Sequence, residues 1–202
     1  RCSVQSINGI VQALSPHYSF KIFTRHEIED SFFDDVDLVC FPGGIGDSDS
    51  YDFLMRSHAQ RIRNYMAAGG RYLGICMGAY WADRNYFDII DDVRATQYIK
   101  RPHTDTRRPH AKNLEIEWQG QRERMFFYDG FAAVGDETKF ETVARYMNGD
   151  PMAIIQNNVG IIGCHPESEP HWYDAYSWMR HKYHNGHHHK LLLNFVDRLV
   201  EQ

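Results

Sequence analysis

Gly69-Gly70-Arg71-Tyr72-Leu73-Gly74-Ile75-Cys76-Met77-Gly78-Ala79-Tyr80 sets the reading of the whole chain. The glycine pair closes the helical pattern before it, because glycine tolerates the left-handed cap. Tyr72 to Cys76 is a short apolar run, predicted as a strand, and Met77 to Asp83 is predicted to begin a helix. Gly74, Cys76 and Gly78 have the G-x-nucleophile-x-G spacing of a nucleophile elbow, in which a sharp strand-to-helix turn needs small residues two positions to either side. Free amides and positive dipole at the start of the helix favour a thiolate at Cys76. The Met77 N–H is then placed to bind an oxyanion.

The pattern extends in both directions. Asp37 to Pro42 is an apolar run that stops at Pro42-Gly43-Gly44, as a buried parallel strand entering a tight loop does. Leu54, Ala59, Ile62, Tyr65 and Met66 predict a helix. Further upstream, Val4, Ile7, Ile10, Val11 and Leu14 predict a helix over 4–14, ended by Ser15-Pro16, and Tyr18 to Phe23 alternates as a strand would. Downstream, Leu114–Trp118 with Arg124–Tyr128, and Phe140–Met147 with Met152–Gln156, read as two hairpins. Val159 to Cys164 is a last core strand, ending at His165-Pro166-Glu167, and helices follow at about 169–183 and 188–200. The predicted fold is a single α/β domain over 1–202. It is a three-layer α/β/α sandwich with a flavodoxin-like, mostly parallel sheet and an inserted antiparallel section. Such a fold normally opens on a central strand, so one strand is expected to precede Arg1.

Composition narrows the function. The chain of 202 residues carries a net charge of −5, so no global basic field draws nucleic acid. No apolar run approaches the roughly 20 residues that span a bilayer, and the N-terminus lacks a signal-peptide plan. Four cysteines in a chain of this length do not make a disulfide framework and are read as reduced thiols in a cytoplasmic protein. Cys40 and Cys164 lie inside apolar strands and are expected in the core.

A cysteine nucleophile needs a base, and the base needs an orienting group. His165 and Glu167 follow a core strand and meet Cys76 at the same sheet edge if the sheet is parallel, the edge where open α/β sheets bind ligands. Pro166 is expected to keep the backbone between them extended. The glycine loop at 43–44 can aim a backbone N–H at that edge, most simply from Gly44, as a second oxyanion donor.

Pro42-Gly43-Gly44, Gly74-Ile-Cys-Met-Gly78 and His165-Pro166-Glu167, in that order, resemble the class I glutamine amidotransferase superfamily. Phe41 to Gly44 with Tyr51, Gly69 to Tyr80, and Val143 to Ala153 are similar to the N-terminal amidotransferase-like domain of biotin–protein ligases and its stand-alone relatives. The resemblance spans roughly 36 to 168 and implies a Cys76–His165–Glu167 triad with a thioester intermediate, no cofactor, and a partner synthase as candidate partner. The family's glutamine-hydrolysing members carry Gln where this chain has Tyr80, so the expected substrate is a small-molecule or peptide amide other than free glutamine. The alternative is a catalytically silent binding or regulatory module on the same fold.

Other residues have two readings. Asp47 and Tyr51 lie in an acidic loop beside the PGG turn. That loop is either a solvated segment with Asp52 capping the next helix or a contact for a polar substrate, as Tyr80 is on the elbow helix. His181, His184 and His187–His189 are interrupted by Asn185-Gly186 and lack an acid to complete a set, so no metal site is expected. Arg101 to His110 is either an exposed connector or a basic loop for an acidic substrate group.

Overall fold

The computed structural model describes residues 2–44 and 48–202. Its strands are β1 (Leu38–Phe41), β2 (Arg71–Ile75), β3 (Val93–Gln97), β4 (Lys112–Trp118), β5 (Gln121–Phe127), β6 (Phe131–Gly135), β7 (Glu141–Tyr146), β8 (Pro151–Gln156) and β9 (Val159–Ile162). The helices are α1 (Val4–Leu14), α2 (Ser48–Leu54), α3 (Ala59–Ala67), α4 (Met77–Tyr80), α5 (Pro170–Asp174) and α6 (His187–Val200).

Seven strands form one sheet in the order β1-β2-β9-β8-β7-β4-β5, while β3 and β6 pair antiparallel in a second. The three strands at one side, β1, β2 and β9, run parallel, and every pair from β9·β8 to β4·β5 is antiparallel. The α/β sandwich is therefore a mixed sheet with its antiparallel section on one flank. Along β2, β8 and β9 adjacent side chains go to opposite faces, as strand geometry requires. Leu73, Ile155 and Ile162 meet α1 and α6 through Ile10, Leu14, Phe195 and Leu199. Tyr72, Ile154 and Ile161 meet Ile62 and Tyr65 of α3 on the other face. Because β1, β2 and β9 are parallel, their C-terminal ends share one edge, and the PGG loop, Cys76 and His165-Pro166-Glu167 all emerge there.

Several expectations need correction. Tyr18 to Phe23 is not a strand. Its alternation has no face to bury: Phe20 and Ile22 are exposed, and Tyr18 instead donates a 2.7 Å hydrogen bond to Asp197 of α6. Helix α1 has the predicted limits but presents a different face. Ser6, Gly9, Ile10, Ala13 and Leu14 are buried, whereas Val4 is 69% exposed. The helix expected from Leu54 divides at Met55, whose buried side chain anchors a break between α2 and a 3-10 turn over Arg56–His58. The helix expected over 169–183 stops at Asp174 and continues as successive turns that seat Tyr173 and Met179 against Ala111 and Phe126. Helix α4 ends at Tyr80 instead of Asp83. The buried Asp83 carboxylate accepts from Arg94 Nε at 2.8 Å and from the Ala95 N–H at 3.0 Å, so it ties the elbow to β3.

The elbow is packed backbone to backbone. A Cβ on Gly74 would collide with the Gly78 carbonyl, and one on Gly78 would collide with the Phe41 carbonyl. The Tyr72 hydroxyl donates to the Gly78 carbonyl at 2.6 Å. Gly78→Ala is expected to cost about 1–3 kcal/mol, the usual penalty of overpacking. An unchanged urea midpoint for this variant contradicts the packing described.

Candidate active site

Cys76 has φ 50° and ψ −102°, a left-handed, strained backbone for a residue with a side chain. Its N–H donates to the Ile162 carbonyl at 2.8 Å, and the Gly78 N–H donates to the Pro42 carbonyl at 3.2 Å. These two bonds join the elbow to both neighbouring strand ends and leave the Met77 peptide between them. With only four residues in α4, the dipole behind Cys76 is weaker than the sequence suggests.

His165 stands just beyond β9, and its N–H donates to the Phe126 carbonyl at 2.8 Å. The rings of Phe126 and Trp172 meet the imidazole edge-on, at centroid separations of 5.9 and 5.5 Å. The Pro166–Glu167 backbone is a turn closed by Ser168 N–H on the His165 carbonyl at 3.2 Å, not the extended stretch expected. The turn still brings ring and carboxylate together: His165 Nδ1 lies 2.8 Å from Glu167 Oε1. Glu167 is fully buried, and Cys76 and His165 are 8% and 6% exposed. Burial alone pulls the His165 pKa down. The charges of Glu167 and Cys76 and the hydrogen bonds to both outweigh it and lift the pKa to about 10. A protonated imidazole between a carboxylate and a sulfur is the arrangement that activates a cysteine nucleophile.

The remaining candidates divide. Gly44 lies in the loop beside His165, where it bridges antiparallel to Cys2. A Cβ on its neighbour Gly43 would stand 2.7 Å from His165 Cε1, so this loop approaches the imidazole as only glycine can. Tyr80 is close enough to feel the charge of Cys76, and its hydroxyl donates to the Asp129 carbonyl at 3.0 Å. Tyr51 does not join them, since its ring is buried among Trp81, Tyr86 and Phe87. Asp47 lies outside the described residues. Cys164 is fully buried and Cys40 partly so, and burial raises both thiols, Cys40 to about 12.

Two features were not legible beforehand. Ser6 of α1 donates to Glu167 Oε1 at 2.7 Å and accepts from the Gly43 N–H at 2.9 Å. Glu123 of β5 supplies an acid to the histidine-rich stretch, 2.8 Å from His187 Nε2 and 3.1 Å from His188 Nε2. Even so, no group of three or more His, Cys, Asp or Glu among the described residues is arranged to hold a metal ion. Among them, too, no helix is long and apolar enough to cross a membrane.

A family model described as biotin-protein ligase, N terminal, matches residues 1–93. No curated protein matches the chain in sequence. Solved structures similar to it include a glutamine amidotransferase at 16% identity and TM-score 0.67, covering 96% of this chain and 94% of that one. A glutamine amidotransferase from Thermotoga maritima has 14% identity and TM-score 0.65, with 100% and 94% covered. A component protein of a putative GMP synthase from Thermoplasma acidophilum has 14% identity and TM-score 0.62, with 100% and 92% covered. The fold is thus that of the glutamine amidotransferases.

The His165 pKa carries a sign for stability. Folding raises it from the ordinary 6.5 to about 10, so between these pH values the folded state holds a proton that the unfolded chain has released. The associated stabilisation is complete below 6.5 and is lost as pH rises to about 10. Urea titrations across this window are expected to show a decline that is smaller in Glu167→Gln. Equal slopes in the two proteins contradict the assigned ion pair.

Proposed function

We propose that this chain, built on the glutamine amidotransferase fold, is a cysteine-dependent C–N hydrolase of the amidase or amidotransferase type. The observation that carries the reading is the buried His165–Glu167 pair, 2.8 Å apart, beside a cysteine in a strained strand-to-helix turn. In the proposed reaction Cys76 sulfur attacks an amide-type carbonyl, and the Met77 and Gly44 N–H groups hold the oxyanion. The imidazolium of His165 gives its proton to the departing amine as the C–N bond breaks, leaving a thioester on Cys76. His165 then takes a proton from water, whose oxygen attacks the thioester and releases the acid and the thiolate. Glu167 keeps the His165 ring oriented and supports its charge. One structural neighbour is described as part of a putative GMP synthase, and the partner proposed for this chain is correspondingly a synthase that receives released ammonia. The setting proposed is cytoplasmic, where the four free thiols stay reduced.

A second reading is a silent binding or regulatory module. It is favoured by the enclosure of Cys76 and His165 and by the match to the biotin-protein ligase N-terminal family. Activity of point variants separates the two. With a panel of amides, Cys76→Ala and His165→Ala are expected to lose at least about 10³-fold in turnover, and Glu167→Gln less, with folding retained. Undiminished turnover in Cys76→Ala removes the mechanism, and no turnover of any amide by the wild type favours the silent module.

Substrate choice follows from Tyr80. Recognition of free glutamine needs polar partners near the nucleophile, and a ligand group left unpaired costs about 1–3 kcal/mol. Tyr80 offers an aromatic ring where an amide would serve, and its one donor is already engaged by the Asp129 carbonyl. Poor glutaminase activity is therefore expected, with a larger or flatter amide preferred. Ammonia release from millimolar glutamine at the ~1–10³ s⁻¹ of ordinary enzymes, above a Cys76→Ala blank, restores glutamine as substrate.

A further inference from the structure

The first turns of α1 form one node with the two loops that flank the nucleophile. The Ser3 N–H donates to the Gly43 carbonyl at 2.9 Å, and the Gly43 N–H returns a bond to Ser6 Oγ at 2.9 Å. Ser6 Oγ in turn donates to Glu167 Oε1 at 2.7 Å, the same oxygen that His165 Nδ1 meets at 2.8 Å. One helical turn further on, Gly9 lets the helix backbone reach the HPE segment, since a Cβ there would collide with the Glu167 carbonyl. Ser6 and Gly9 are i and i+3, so one helix face delivers the hydroxyl and permits the approach. Glu167 Oε2 is buried with no hydrogen-bond partner among the described residues, so the carboxylate is held through Oε1 alone.

We infer that Ser6 is a positioning residue for the triad: its hydroxyl fixes the Glu167 carboxylate against His165 and, through the Gly43 amide, sets the PGG loop in register with Cys76. The inference rests on the triad proposed above and extends it to a fourth side chain. The hydroxyl suits this place because it donates and accepts at once. Its O–H donates a hydrogen bond to the carboxylate, and a lone pair on its oxygen accepts one from the Gly43 amide. An alanine at position 6 deletes both bonds while remaining a good helix former. Without the hydroxyl the carboxylate loses its second partner, and its hold on the imidazolium weakens. Among the described residues, Glu167 and Cys76 are the groups that chiefly raise the His165 pKa against the effect of burial, and the rings against it, Phe126 and Trp172, do not titrate.

The test is an NMR titration of ¹⁵N-histidine-labelled full chain, with His165 assigned by comparison with His165→Ala. Thermal melts of each variant run in parallel. In the wild type His165 is expected to titrate near 10. In Ser6→Ala the midpoint is expected to fall by about one pH unit. Ser6→Thr, which keeps the hydroxyl, restores it. A residue that only packs the helix would lower the melting temperature without moving the midpoint. Should Ser6→Ala fail to fold, Ser6→Cys, which fills the same space with a much weaker hydrogen-bonding group, is read the same way. A wild-type midpoint near 10 that is unmoved by Ser6→Ala overturns the role of Ser6 and leaves the triad standing. A wild-type midpoint near the ordinary 6.5 overturns the triad reading, and the role of Ser6 with it.

Discussion

The backbone of Cys76, at φ 50° and ψ −102°, is the constraint around which the rest of the site is arranged. Such a conformation costs on the order of 1–3 kcal/mol and persists only where its surroundings over-determine it. Here they do so from three sides. The Cys76 N–H is fixed on β9 through Ile162, the Gly78 N–H on the end of β1 through Pro42, and the Gly78 carbonyl on the Tyr72 hydroxyl. Gly74 and Gly78 are small because neighbouring carbonyls occupy the space that their Cβ atoms would take. The strained turn, the parallel order β1-β2-β9 and the packing of the two loops are consequences of a single geometry.

That geometry brings two electrostatic demands. A fully buried Glu167 needs compensation, and a buried imidazole that carries charge needs a counter-ion. The His165–Glu167 pair answers both in part, and Ser6 adds a second donor to the carboxylate. The same Ser6 secures the PGG loop, so that loop and the acid of the proposed triad share one support on α1. Helix α1 thereby links the sheet's α1/α6 layer to the strand ends that carry Cys76 and His165.

What could be read from sequence follows from how local each signal is. The elbow was legible because the glycine spacing is a direct sequence image of a steric requirement, and the three motifs each end a short apolar strand. The hairpins β4–β5 and β7–β8 were legible through their turns. Strands β3 and β6 were not, because they pair across a long stretch of sequence and Arg94 and Gln97 blur the alternation in β3. Tyr18 to Phe23 shows the opposite error: a clean alternation whose Phe20 and Ile22 meet no buried face. The face of α1 was misread because large side chains at Val4, Ile7 and Val11 outweighed the small ones at Ser6, Gly9 and Ala13. The helix approaches the His165–Glu167 loop so closely that small residues face it. A small polar residue on the i, i+3, i+4 stripe of an amphipathic helix was the available signal for Ser6.

The central claim is that Cys76 carries an acyl group during turnover. Intact and peptide mass spectrometry of the chain after brief exposure to a panel of amides and activated acyl compounds, quenched in acid, reads this directly. An acyl mass increment is expected, confined to the peptide that contains Cys76 and lost in Cys76→Ala. In His165→Ala, loaded with an activated acyl donor, the increment is expected to accumulate. Acylation spread evenly over Cys2, Cys40 and Cys76, or an increment that survives in Cys76→Ala, contradicts it.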